Sequence, residues 1–467
     1  MKNQDPPLEL LQPILNLFNN GKLKQALSDT SHLLEIFPNS IILYNISGSS
    51  NLGLKQFDSA IKSYKKALEI KPDYAEVHYN MGIALKDKGD LEAAINSYKK
   101  ALEIKPDYAE VYYNMGNIQK DKGDLEAAIN SYKKALEIKP NNSLAYNNIG
   151  IALKDKGDLE AAINSYKKAL DITPDYFEAK ENLISLLTSY IPQKNNLNLI
   201  VKVNEEIRKI NIKDNTSKII SDNQIVDLFS RSEDCISNFG LDLRTKKDQI
   251  FRGNLMNCER HLSIFDKHEV IPEFCFGCYK VQVEPRSVIE LIKLFIIFDQ
   301  LELNDNNTRK CMIEFRPEIS GFYKGLIYCS GLNQANQIAD YLNIIIKKSI
   351  SSELSSTVKR GCSQYAISYP DYKEINYLGP QVMSYNKDWR IIEESHDKKE
   401  PIHVKELKRV NLSGLNLSDI LIIRKWIDYA KGIGDSSADL LNQNTIYYQL
   451  IHDRAKARSN SVELTTL

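Results

Sequence analysis

The string ALKDKGDLEAAINSYKKALEIKP begins at Ala84, returns almost unchanged at Ile118, and returns again at Ala152. The period is 34 residues, and no other feature of this chain restricts its fold as strongly. Each unit carries two apolar helical patterns, divided by a Gly-Asp turn and ended by a proline, which cannot continue a helix. One such helix pair cannot bury its own apolar face, so successive pairs must stack on one another. The first 190 residues are therefore expected to form an α-solenoid.

Small and aromatic residues recur at fixed places in each unit. Gly82, Gly116 and Gly150 fall in the first helix; Ala94, Ala128 and Ala162, then Ala101, Ala135 and Ala169, fall in the second. Tyr98, Tyr132 and Tyr166 lie between those alanines, and Pro106, Pro140 and Pro174 close the units. An earlier unit from Ile41 keeps Gly48, Ala60, Tyr64, Ala67 and Pro72; a weaker one from about Pro7 keeps Gly21, Ala26 and Pro38. This signature resembles the tetratricopeptide repeat (TPR). The resemblance implies a right-handed superhelix over about residues 7–190, with Phe177 to Tyr190 as a solvating cap helix, and a concave face lined by the first helix of each unit.

The resemblance also gives a candidate binding site. Asn80, Asn114 and Asn148 recur two residues before the packing glycines. In a superhelix they form a ladder, similar to the asparagine ladder in the repeat domain of O-linked N-acetylglucosamine transferases, which holds extended peptide backbones. An amide side chain both donates and accepts, so it grips backbone without reading sequence. Lys86, Lys120 and Lys154, each followed by an aspartate, are expected to add polar contacts at the rim. The implied partner is a protein or extended peptide.

The period stops at IPQKNNLN, residues 191–198, and residues 191–250 read as a linker with helices near 199–210 and 221–239. From Cys275 the rhythm changes. CYKVQVEP, RKCMIEFRP, GFYKGLIYCS and STVKRGCSQYAISYP alternate as strands, and RSVIELIKLFIIFDQL and NQANQIADYLNIIIKK carry helical spacing. The order strand, helix, strand, strand, helix, strand predicts an α/β (α+β) domain over 251–370 with a ferredoxin-like βαββαβ core, one sheet face covered by the two helices. RNA-recognition modules share this topology, with Tyr279, Phe322, Tyr323 and Tyr328 as the candidate stacking aromatics. Their consensus motif is missing, however, and 61 basic residues balance 61 acidic ones, so no nucleic-acid footprint is indicated. Residues 371–467 read as an irregular segment over 375–401, a helix capped by Ser418 and stopped at Gly432 and Gly434, a helix over 438–458, and a frayed tail.

Between linker and sheet lies CERHLSIFDKHEVIPEFCFGC. Cys258 with His261, and Cys275 with Cys278, have the two-residue spacers that let neighbouring ligands reach one zinc ion. With four protein ligands such a zinc would be structural, and His268 and Cys235 are the substitutes should one ligand be misassigned. Buried cysteines without metal are the competing reading. A redox pair is disfavoured, because Cys278 leads into a strand and not into a helix N-terminus. Cys311, Cys329 and Cys362 read as small buried hydrophobes. Arg360, Tyr365, Tyr377, Tyr385 and Trp389 are candidates for a pocket.

No phosphate loop, dinucleotide fingerprint, zinc-protease motif or nucleophile elbow is present. The N-terminus lacks the apolar core of a secretion signal, the longest apolar run is too short to span a bilayer, and seven cysteines do not suggest a disulfide framework. The expectation is a cytoplasmic, non-enzymatic adaptor. The alternative is an enzyme, for instance a transferase, whose active site lies in the second half and whose substrate the repeats deliver.

Overall fold

A computed structural model of the chain describes residues 5–192, 198–210, 219–238, 243–253, 258–316, 319–360, 365–372, 383–399, 415–441 and 449–465. The chain divides into two compact units, 1–182 and 183–467.

The first unit is built from helix pairs: α1 (Leu8–Asn19) with α2 (Leu23–Ile36), α3 (Ile41–Gly53) with α4 (Phe57–Ile70), α5 (Ala75–Lys88) with α6 (Leu91–Ile104), α7 (Ala109–Asp121) with α8 (Leu125–Ile138), and α9 (Ser143–Lys156) with α10 (Leu159–Ile172). Helix α11 (Phe177–Leu187) follows. The repeated KGD makes each turn. Gly89 and Gly157 end α5 and α9 in the left-handed region at φ 94°, which glycine enters without a Cβ penalty. The next residue, Asp90, Asp124 or Asp158, caps the second helix by accepting from the backbone N–H of Ala93, Ala127 or Ala161 at 3.1–3.2 Å.

In the four pairs from α3 to α10, the glycine of the first helix lies flat against the tyrosine of the second. A Cβ on Gly116 would stand 2.7 Å from the Tyr132 ring, and Gly48, Gly82 and Gly150 meet Tyr64, Tyr98 and Tyr166 in the same way. All four tyrosines are fully buried, so each hydroxyl needs a partner. The partner comes from one position of the period, occupied in turn by Ser49, Ile83, Asn117 and Ile151. Tyr64 Oη lies 3.1 Å from Ser49 Oγ, and Tyr132 Oη donates to Asn117 Oδ1 at 2.8 Å. Isoleucine offers nothing, and the hydroxyls of Tyr98 and Tyr166 are buried without a partner among the described residues. Burial pushes all four phenols above their ordinary range, Tyr64 to about 12.

The second unit holds α12 (Leu199–Lys209), α13 (Asp222–Ser237), β1 (Gln249–Arg252), α14 (Cys258–His268), α15 (Glu273–Phe276), β2 (Tyr279–Val283), α16 (Val288–Gln300), β3 (Arg309–Ile313), β4 (Tyr323–Cys329), α17 (Leu332–Ser349), β5 (Ser356–Arg360), α18 (Tyr365–Ser368), α19 (Trp389–Lys399), α20 (Leu417–Ile433), a 3-10 turn (Ser436–Leu441) and α21 (Gln449–Thr465). Its sheet runs β1-β3-β4-β2-β5, every neighbour antiparallel. Helix α16 packs on β3 and β4, and α17 on β2 and β5. Gly325 lies directly beneath Leu294 and Phe298 of α16, and its register partners Val283 and Cys311 share that covered face. Alternation places Lys280, Gln282, Lys310, Lys324, Tyr328 and Lys359 on the opposite face. Tyr279 and Tyr323 fall on the covered face and are buried, which removes them as base-stacking candidates.

Several expectations are corrected. The sheet has a fifth strand, β1. The expected fourth strand ends at Arg360, and Tyr365–Ser368 is a helical turn. The irregular segment over 375–401 contains helix α19, while Tyr377 lies outside the described residues. Asn416, not Ser418, caps α20, exchanging bonds of 3.1 and 3.2 Å with Asp419 in a capping box. Gly432 does not stop α20: it permits close approach of α21, where an added Cβ would stand 2.5 Å from that of Ala455. The stop is Gly434, at φ 79°. Helix α21 extends to Thr465, into the tail expected to fray.

Helix α20 is buried from Leu417 to Ala430, charges included. Arg424 forms a two-pronged pair with Glu233 of α13, both bonds 2.7 Å. Asp419 holds Arg252 of β1 at 2.7 Å, and Arg252 also binds Asp299 of α16. Trp426 Nε1 donates to the Asp248 carbonyl, and Tyr429 Oη to that of Glu314.

Two stability outcomes follow. Replacing Tyr98 with Phe removes a buried hydroxyl that has no partner among the described residues and is expected to be neutral or stabilising, whereas Tyr132→Phe removes a bond that is made, costing about 1 kcal/mol. Thermal or urea unfolding of the two variants reads the contrast; an equal cost would refute the pairing argument. In the second unit, Glu233→Gln leaves Arg424 buried with its charge uncompensated and is expected to cost about 3–5 kcal/mol, while Glu233→Gln with Arg424→Met costs less. A double variant less stable than the single would show the reverse.

Candidate functional site

The asparagine ladder lies on the first helices α5, α7 and α9, and its rungs are joined across repeats. Asn80 Nδ2 donates to Asn45 Oδ1 at 3.1 Å, Asn114 Nδ2 to Tyr79 Oη at 3.0 Å, and Asn148 Nδ2 to Tyr113 Oη at 3.1 Å and Asn117 Oδ1 at 3.0 Å. One more rung continues the series, with Asn182 Nδ2 donating to Asn147 Oδ1 at 2.9 Å. The acceptors Asn45, Tyr79, Tyr113 and Asn147 are themselves 34 residues apart, one place before the ladder residue. Sequence reading missed this second column, although its spacing is as regular as that of the first.

The bonding changes what each rung can offer. Among the described residues, Oδ1 of Asn80, Asn114 and Asn148 accepts no hydrogen bond. Asn80 and Asn114 each spend one N–H, whereas Asn148 spends both. All three are half-buried, so these groups face solvent. Burial raises the Tyr79 phenol, and the bond from Asn114 partly offsets this. At the rim, Lys86, Lys120 and Lys154 pair with the next residue, Asp87, Asp121 and Asp155, at 3.3–3.8 Å. Such exposed pairs contribute little energy and leave the lysine row largely neutralised. Glu110 pairs with Lys139, which holds its carboxyl below the usual range.

In the second unit, Cys258 opens α14, with its side chain outside the described residues, as is Cys362. His261, one turn on, is 6% exposed and stacks on Phe274 with centroids 5.3 Å apart. Desolvation, aided by the Arg260 charge, pushes its pKa down to about 4. Cys275 lies in the short helix α15, with Sγ 3.5 Å from Tyr365 Oη, beside Ile271 and Tyr372. Cys278 Sγ lies 3.9 Å from the Tyr279 carbonyl oxygen. Among the described residues, no three His, Cys, Asp or Glu side chains gather as a metal site. Cys235 is on α13, where burial raises its thiol pKa. Cys311 and Cys329 are buried strand residues with raised thiol pKa values, that of Cys329 about 12.

Of the pocket candidates, Tyr365, Tyr385 and Trp389 lie in an aromatic cluster. Tyr365 meets Phe265 at 4.7 Å and Tyr372 at 5.6 Å; Trp389 meets Tyr369 and Tyr385. Tyr385 Oη donates to Glu393 at 2.8 Å. The Arg360 guanidinium lies 5.0 Å from the centre of the Tyr279 ring, a cation–π contact that ends β5.

The His261 shift carries a sign. Its folded pKa lies below the unfolded value near 6.5, so between about 4 and 6.5 the unfolded chain binds the extra proton. The stabilisation is full above the upper limit and is lost as pH falls through this window. His261→Phe keeps the stacking partner of Phe274 and is expected to flatten the stability–pH slope of the second unit there. An unchanged slope in the variant would contradict a desolvated imidazole.

The TPR repeat model matches residues 53–89, 82–123, 116–157 and 150–183. No curated protein matches the chain. Among solved structures the chain is similar to MamA, at 28% identity over 34% of this chain and 93% of that one, TM-score 0.33. It is also similar to YrrB, described as a TPR protein with an unusual peptide-binding site, at 22% identity over 38% and 92%, TM-score 0.33. A third is pilF of Pseudomonas aeruginosa, at 20% identity over 38% and 81%, TM-score 0.36. Among the described residues no helix is long and apolar enough to cross a membrane. The family match and the recurring glycine, alanine, tyrosine and proline positions together identify residues 53–183 as tetratricopeptide repeats.

Proposed function

We propose that this protein is an interaction scaffold whose repeats hold an extended segment of a partner protein against the first-helix face, with the second unit as an accessory domain. One observation carries the reading: three carboxamide oxygens, on Asn80, Asn114 and Asn148, recur at the repeat spacing and accept nothing from the described residues. Acceptors at regular intervals suit the backbone N–H groups of an extended chain, which carry no sequence information. The spare N–H on Asn80 and Asn114 lets those two rungs also donate to a backbone carbonyl; Asn148 is left to accept only. The neutralised lysine row argues against a strongly acidic partner. For the second unit we propose a ferredoxin-like core formed by β2–β5, α16 and α17, with β1 added at the edge. The order of its elements along the chain and the antiparallel order β3-β4-β2-β5 support that reading.

The test is panning of a random peptide library against the immobilised full chain, followed by affinity measurement on the selected peptides. Alanine at Asn80, Asn114 and Asn148 together is expected to weaken binding about 10- to 1000-fold, from three bonds of roughly 0.5–1.5 kcal/mol each, with helix content unchanged. N-methylation of the bound peptide's backbone amides should weaken it similarly. Affinity unmoved by both changes would sink the ladder.

A further inference from the structure

A pair of imidazoles outside the repeats has no part in this reading. His268 ends α14 and is exposed; His396 lies on α19 and is 3% exposed. Nε2 of His268 and Nδ1 of His396 are 3.3 Å apart, with the rings nearly perpendicular at 89°. That separation is long for a strong N–H hydrogen bond, which prefers about 2.9–3.0 Å. It matches the chord between two metal–nitrogen bonds of about 2.0–2.1 Å meeting at a tetrahedral angle, about 3.3–3.4 Å.

Two carboxylates of α19 close to His396 in sequence, Glu393 and Asp397, are otherwise engaged. Asp397 binds Arg260 of α14 at 2.6 and 2.8 Å. Glu393 accepts from Arg260, from the Glu273 backbone and from Tyr385. These bonds fix α19 against α14 and so set the two nitrogens at their spacing. They also leave the carboxylates committed, so water would complete the coordination shell on the open His268 side.

We propose that His268 and His396 form a two-imidazole site for a borderline divalent transition-metal ion of the zinc, cobalt or nickel class, clasping α14 to α19. Imidazole nitrogen suits these ions. Binding needs both facing lone pairs, so the proton of each ring sits on its other nitrogen, Nδ1 of His268 and Nε2 of His396. The site is separate from the Cys258, His261, Cys275 and Cys278 set expected from spacing, and it does not rest on the peptide-binding reading.

The experiment uses the untagged full chain, stripped with EDTA and titrated with Co2+ alone, then with Zn2+ in competition. The expected result is saturable visible ligand-field absorption at one cobalt per chain, removed by zinc. His268→Gln replaces an exposed ring with a side chain that still hydrogen-bonds, so folding is spared. It is expected to lower affinity at least about tenfold, the loss that outer-shell partners alone produce. His396→Asn should do the same, with circular dichroism reporting its fold. Cys275→Ser with Cys278→Ser should leave cobalt binding unchanged. No saturable binding, binding by His268→Gln as tight as the original, or loss in the cysteine variant alone would each overturn the proposal.

Discussion

The second unit depends on helix α20, a fourteen-residue buried stretch from Leu417 to Ala430 that carries charges. A buried charge without a partner costs several kcal/mol, so such a helix is tolerable only where neighbours arrive with matching groups. They arrive from three separate elements: Glu233 on α13, Arg252 on β1 and, through Arg252, Asp299 on α16. Burial opposes the charge on Arg252, and its two aspartates more than offset that. Because these pairs are directional, they fix the rotation and height of α20, which apolar packing alone would leave softer. They also fix the edge strand β1, which has only four residues and one strand neighbour.

The repeat unit reaches order by the opposite route. Its constraints are local and steric: a glycine that accepts a tyrosine ring, an alanine at each tight crossing, an αL glycine followed by an aspartate cap. Each is satisfied within about twenty residues, so each can be read from the period.

That contrast explains what the sequence disclosed. The helix pairs, their turns and the ladder positions were legible because every determinant repeats. The strands β2 to β5 were legible from alternation. Strand β1 was not, since QIFR is too short to alternate visibly and its role rests on Asp419, 167 residues away. Helix α19 was missed because its buried side is polar, with Glu393 and His396 facing inward where apolar residues would have marked a stripe. The cap of α20 was misplaced by two residues: Asn416 and Asp419 have the spacing of a capping box, but Ser418 between them is an equally good cap by residue type. For the spacing of Cys258, His261, Cys275 and Cys278, sequence registers only distance along the chain. The neighbours of these side chains come from the fold, which sets Tyr365 beside Cys275 and Phe274 beside His261.

Near-identical repeats nevertheless differ in chemistry, and the differences trace to single positions. Ser49, Ile83, Asn117 and Ile151 occupy one place in the period, and that place decides whether the buried tyrosine hydroxyl beside it is satisfied. Asn117 does a second thing: it takes one N–H of Asn148 and so removes a donor from the first-helix face. One substitution in a copied unit therefore couples the interior of the array to its surface. The same asparagine that satisfies Tyr132 inside makes the third rung an acceptor only. Positions that look uniform in sequence thus differ: Asn80 and Asn114 can both give and take, and Asn148 can only accept.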